Sequence, residues 1–278
     1  MNVEKKSESN YTYHASNPIS RSKLFRMIKN GQICPKNYKF LDDNPPEPTD
    51  SLVFGQAFHK FVLEPETFEN SFAISPLCDR RTVQGKAIWN EFISNSEGKQ
   101  VITQESFDAI RGMADSIKSD KYAKRLLSGD VETSYYWIDD LTEIECKCRP
   151  DVLTKVGGQR FIVDLKSTTN AATDSFAREC IKFGYDLQAA MYKQGVDAYY
   201  GEEHSFVFIA VEKTAPYTYN SLQADEFFIK KGQALFRELM GELKYCRDTG
   251  DWYGYGGAKE YGGINDLTLP AYMLKEFE

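Results

Sequence analysis

The 278-residue chain is 41% hydrophobic and 14% aromatic, enough apolar material for a sizeable core of the ordinary globular kind. No run of about 18 apolar residues occurs, which excludes a membrane-spanning helix. A formal net charge of −7 argues against a protein that coats nucleic acid by bulk attraction.

The first residues, MNVEKKSESN, are charged and polar. They do not read as a signal peptide, so the expected compartment is the cytoplasm, and residues 1–10 are expected to form a flexible lead-in. Residues 18–30 read as one helix, with Ser20 as N-cap, Leu24, Met27 and Ile28 on one face, and Gly31 as its stop. Three prolines in 42–50 make that stretch a loop. Helices follow from about Leu52 to Leu63, from near Thr82 with Ala87, Ile88, Trp89 and Phe92, and from about Glu105 to Leu127.

The pattern then changes. Glu132–Ile138 is aromatic and alternating, as in a strand. Asp139–Thr142 is a turn, Glu143–Thr154 a second strand, Gly157–Gly158 another turn, and Arg160–Leu165 a third strand. A helix runs from about Thr173, breaks near Gly184 and resumes to Tyr199. Ser205–Val211 is an almost unbroken apolar strand, expected inside a sheet. Residues 224–247 form a long amphipathic helix. The tail from Trp252 is rich in glycine and tyrosine and has no clear period. With no repeat and no linker, the expectation is a single α/β domain over 11–278, with a mixed central sheet (a β-meander plus one strand) flanked by helices.

Six cysteines occur, at 34, 78, 146, 148, 180 and 246. Cys146 and Cys148 form a C-x-C pair on a predicted strand, but no C-x-x-C is present. The spacing of a zinc or iron–sulfur site is absent, so these read as reduced structural thiols.

The residues that carry chemistry lie on successive predicted elements. Asp151 and Asp164 sit on adjacent meander strands, where both carboxylates can converge on one hard cation. Magnesium prefers a few protein carboxylates completed by water and phosphate oxygens. Lys166 lies two residues beyond Asp164, on the same strand face. Its ammonium can orient a water and offset developing charge. His59 lies on the second helix, where the small residues Gly55 and Ala57 allow close approach to the sheet, and it can add a nitrogen ligand. Gln188 and Tyr192 are four residues apart on one helix face. Gln188 can hold the attacking water or Lys166, and Tyr192 can pack on a DNA backbone or on the catalytic helix. Residues 147–182 hold seven basic and four acidic side chains; the stretch is +3 and leaves −10 elsewhere. Ser20, Arg21, Ser22 and Lys23, at a predicted helix start, suit an anion.

Taken in order, GQAFH (55–59), CRPD (148–151), DLKST (164–168) and QAAMY (188–192) resemble the motifs of PD-(D/E)XK nucleases of the RecB and lambda-exonuclease type. YHASNPISRSKL (13–24), LEPETF (63–68), DRRTVQGK (79–86) and LTLP (267–270) bring the resemblance closer to the nuclease domain of the RecE (exonuclease VIII) family, over roughly 11–275. The resemblance implies a restriction-endonuclease-like core. It implies metal-dependent 5′-to-3′ digestion of linear double-stranded DNA that leaves a 3′ single strand for recombination. It implies His59, Asp151, Asp164 and the Leu165 backbone carbonyl as ligands of Mg2+ or Mn2+, with two ions per site, and Lys166 as the catalytic lysine supported by Gln188 and Tyr192. Arg80, Arg81 and Arg149 join Ser20–Lys23 as residues expected to grip DNA or its 5′ phosphate. The implied partners are DNA ends, a RecT-type single-strand annealing protein, and further copies of the chain in a ring. A Cas4-like or helicase-linked nuclease, an endonuclease on the same core, and a non-enzymatic DNA-binding protein are the competing readings.

Overall fold

The computed structural model describes residues 1–257, 263–269 and 273. The end of the LTLP stretch and of the expected 11–278 domain lie outside these residues. The described chain divides into two compact units. One combines Met1–Arg21 with Pro46–Phe236; the other combines Ser22–Pro45 with the chain from Arg237 onward.

The first unit holds the central sheet. Its five strands run in the order Tyr219–Gln223, Ser205–Glu212, Gln159–Thr168, Val152–Val156 and Asp130–Val131. Gln159–Thr168 and Ser205–Glu212 are parallel, and the other pairs are antiparallel. The sheet is therefore mixed, as the sequence predicts. A parallel pair needs a crossover connection, and the helices Thr173–Phe183 and Tyr185–Tyr200 supply it. Gly184 joins them at φ 68°, a left-handed conformation that glycine takes without steric cost. The two parallel strands bury Phe161, Ile162 and Val163 against Phe206, Val207, Phe208 and Ile209, which accounts for their unbroken apolar runs.

A second, antiparallel sheet orders Val3–Lys6, Ser134–Ile138 and Glu145–Cys148. Two expectations are corrected here. Residues 1–10 are not a loose lead-in, because Val3–Lys6 pairs with Ser134–Trp137. The predicted strand Glu143–Thr154 is two strands in two sheets, interrupted at Arg149–Asp151, where Pro150 has no N–H for a ladder.

Helix Asp50–Leu63 is capped by Thr49, whose hydroxyl accepts from the Leu52 N–H at 3.3 Å. It buries Ala57, Phe58 and Val62 against Ile110, Met113 and Ile117 of helix Gln104–Ser119 and against Val163, Leu165 and Ile209 of the sheet. Ala57 is fully buried, whereas a Cβ on Gly55 would meet only Ser167 Oγ at 3.9 Å. The close approach therefore falls at Ala57. The predicted helix Glu105–Leu127 is interrupted at Asp120, whose carboxylate caps a separate helix, Lys121–Leu126, at the Tyr122 and Ala123 N–H groups.

In the second unit the helix expected over 18–30 shrinks to Arg21–Phe25, of which Ser22 onward belongs to this unit. Asn30 and Gly31 both take positive φ, 53° and 78°, and close a hairpin between Ile28–Lys29 and Gln32–Ile33. A helix not read from the sequence, Pro35–Asp43, follows; its Tyr38 stacks on Trp252 with centroids 5.6 Å apart. Among the described residues no helix is long and apolar enough to cross a membrane.

Candidate active site

Gly157 and Gly158, at φ 62° and 89°, make a two-residue turn that pairs Val156 with Gln159 and, further along, Val152 with Val163. One step beyond that register, Asp151 comes to lie across from Asp164. Asp151 is thus not within a strand, as predicted, but in the interruption that precedes Val152. Its Oδ2 accepts the Leu165 N–H at 2.7 Å and lies 3.4 Å from His59 Nδ1. The family resemblance implies the Leu165 carbonyl as a ligand; the structure ties the Leu165 N–H to Asp151.

Asp164 is fully buried in mid-strand. Its Oδ2 pairs with the Lys166 ammonium, and its Oδ1 accepts from Gln188 Nε2. Gln188 therefore holds the Asp164 carboxylate, where the sequence offered the attacking water or Lys166 as its partner. Gln188 Oε1 in turn accepts from Arg21 at 2.9 Å. The Lys166 ammonium lies 4.6 Å from the Tyr185 ring centroid, and the Arg21 guanidinium carbon 5.5 Å from the same ring. Tyr185 was not singled out from the sequence. Its position at the start of the Gln188 helix, one residue past Gly184, was the available signal. Tyr192 faces Phe206 at 6.3 Å, and burial raises its phenol well above the ordinary value. It packs behind the site.

A further acid, also missed, completes the cluster. The Glu132 N–H donates to the Asp151 carbonyl at 3.1 Å. One ligand atom each from His59, Glu132 and Asp151 lies within 4.8 Å of the others. No sequence signal marks Glu132. It arrives because Asp130–Val131 pairs with Val152–Leu153, a contact set by the fold.

The charges divide by environment. Burial raises Asp164, and repulsion from Asp151 adds to this against the pull of Lys166, so its carboxyl stays above the usual range. Burial also works against Asp151, but the His59 imidazole, Lys166 and the Leu165 N–H outweigh it and hold the group below that range. His59 is disfavoured by burial yet held above the usual histidine value by Asp151. Burial, then Asp151, push Glu132 up to about 7. Buried carboxylates that repel one another are what a cation relieves. The grouped donors, the His59 imidazole and the Glu132 and Asp151 carboxylates, are rich in oxygen and include no thiolate, so they fit a hard divalent ion. Cys146 and Cys148 are wholly buried and form no disulfide, and burial holds the Cys148 thiol well above its usual value, which disfavours thiolate ligation there.

The residues predicted to grip DNA are dispersed. Arg21 joins the site through Gln188. Ser20 precedes it, half-buried, while Ser22 and Lys23 belong to the second unit. Arg80 lies over Trp89 at 4.3 Å and Arg81 pairs with Asp79 at 2.9 Å, both contacts within one loop and the helix it enters. Arg149 corrects its assignment to DNA. It is buried, 2.7 Å from Glu132 and bonded to the Glu8 carbonyl at 3.2 Å. Lys147, of the same basic stretch, is buried as well and donates to the Tyr13 and Ser16 carbonyls.

A family model described as "PDDEXK-like domain of unknown function (DUF3799)" matches residues 20–262. No curated protein matches the chain by sequence. Among solved structures, the chain is similar to one described as "Putative exonuclease" from Eubacterium rectale, with a TM-score of 0.61 over 98% of each chain and 12% identity. This is a likeness of fold. SSO0001 is a more distant neighbour, with a TM-score of 0.33, 11% identity, and coverage of 69% of this chain and 85% of that one.

Proposed function

We propose, from the premise that this chain belongs to the family of PDDEXK-like domains of unknown function (DUF3799), that it is a divalent-metal-dependent nuclease acting on DNA. One observation carries the reading. Asp151, Asp164 and Lys166 converge at the sheet interruption, with His59 on one side and Gln188 on the other. An Asp and a Lys side by side on a buried strand have little structural use, because a hydrophobic pair serves a core at least as well.

The cations, two per site, would be held by His59, Asp151 and Asp164 with the Leu165 carbonyl. Mg2+ or Mn2+ at such a site polarises a phosphoryl oxygen and lowers the pKa of bound water. The chain's own residues do the rest. Lys166 brings a positive charge to where negative charge grows on the phosphate. Gln188 fixes the Asp164 carboxylate, and Arg21 fixes Gln188. Tyr185 gives both cations an aromatic face. Arg21 also sets a guanidinium at the site, suited to a terminal phosphate.

The finer reading is RecE-like. The substrate would be the end of linear duplex DNA, degraded 5′ to 3′ to leave a 3′ single strand. The partner would be a RecT-type annealing protein, and the working form a ring of several copies. The motif order and the flanking segments at 13–24, 63–68 and 79–86 support it. The test is digestion of linear duplex DNA in Mg2+, with EDTA and Asp164→Asn as controls. Both controls are expected to abolish cleavage. Cleavage by Asp164→Asn at the wild-type rate would remove the site assignment.

A further inference from the structure

We infer that Glu132 is an additional metal-holding carboxylate of this site and that Arg149 aims it. The inference rests on the metal-dependent reading above and deepens it. Glu132 is tied to the site at both ends. Its backbone N–H bonds the Asp151 carbonyl at 3.1 Å, so main chain and ligand residue move together. Its carboxylate lies within reach of the same point as His59 and Asp151, all three ligand atoms lying within 4.8 Å of one another.

Arg149 stands 2.7 Å from the Glu132 carboxylate and is itself fixed by the Glu8 carbonyl at 3.2 Å. A buried guanidinium whose Nε stands beside Glu132 Oε2 is the kind of charged partner that sets the direction of a ligating carboxylate. The backbone at Glu132 takes φ 51°, a left-handed conformation that side-chain-bearing residues seldom adopt. It places the carboxylate beside Asp151, two residues before the strand Ser134–Ile138 begins. Arg149 thus serves the chemistry through Glu132, not through DNA. A carboxylate that only neutralised Arg149 would need neither His59 nor Asp151 in reach.

The test measures metal binding in solution, apart from activity. Mn2+ is titrated calorimetrically into the full chain as wild type and as Glu132→Gln, and the thermal midpoint of each is read with and without Mn2+. The expected result is Mn2+ affinity weaker by about tenfold or more in Glu132→Gln, the scale on which disturbed metal sites lose affinity, together with a smaller Mn2+-induced rise in midpoint. Should Arg149, left unpaired, unfold that variant, the double variant Glu132→Gln/Arg149→Met removes both charges and is expected to show the same weakening. Wild-type affinity in whichever variant folds overturns the assignment of Glu132 and leaves the nuclease reading standing. A wild-type protein that takes up no Mn2+ overturns both.

Discussion

Lys166 and Tyr185 share one contact, and their substitutions separate two roles. Lys166 has no acceptor chemistry of its own and faces Asp164 and the Tyr185 ring. Lys166→Ala is expected to cut turnover by about 10²-fold or more, the scale of losing one charge-stabilising donor. Mn2+ uptake and binding of DNA ends in EDTA should persist. Equal losses of DNA affinity and rate would make the lysine a phosphate grip instead. Tyr185 acts on Lys166 and Arg21 through its ring, so Tyr185→Phe should keep turnover near wild type. Tyr185→Leu should lower kcat about tenfold with little change in KM, since a displaced ammonium costs about 1 kcal/mol of ring contact and more in aim. If Leu and Phe behave alike, the ring has no positioning role.

Among elements, the helix carrying Gln188 is held by a close crossing. Helix Glu226–Thr249 passes it at Gly232, where an added Cβ would lie 2.0 Å from the Asp186 carbonyl oxygen. Lys231 pairs with the buried Asp186 at 2.6 Å beside it. Gly232→Ala must push backbone apart. It is expected to cost about 1–3 kcal/mol in denaturant unfolding and to lower turnover by shifting Gln188; an unchanged midpoint would show the crossing to be loose. Thr103 caps helix Gln104–Ser119 at the Ser106 N–H, 3.0 Å away. Thr103→Ala should cost about 1 kcal/mol with turnover unchanged.

The same elements show what the sequence discloses. The strand–turn–strand that presents Asp164 and Lys166, the Gly184 break and the buried Ser205–Glu212 strand follow from apolar runs and glycine. Gln188 and His59 follow from helix spacing. The hairpin at Asn30–Gly31 had its own signal, the Asn-Gly pair, outweighed by the helical spacing of Leu24, Met27 and Ile28. Glu132 could not be found this way, because its neighbour Asp151 reaches it through long-range pairing. Nor could the burial of Arg149 and Lys147, since a cation in a polar stretch reads as exposed until the fold closes over it.

At the scale of the molecule, the uneven charge changes meaning. Two of the seven cations in 147–182 are buried in structural contacts, and Arg160 pairs with Glu202. That stretch is not a continuous basic wall, so on the proposed reading DNA would be met by few groups, Arg21 among them. The proposed ring then rests on the resemblance alone. Light scattering under digestion conditions is expected to give a mass several times the 31.8 kDa of one chain; a stable monomer that digests DNA would remove it. The most direct measurement is digestion in Mg2+ of linear duplex DNA labelled separately at each 5′ and 3′ end, with closed circles alongside. The account predicts early release of the 5′ label, 3′ label retained on single strands, intact circles, and no reaction with Asp164→Asn or EDTA. Digestion by Asp164→Asn at the wild-type rate, or no digestion by the wild type in either Mg2+ or Mn2+, would contradict it.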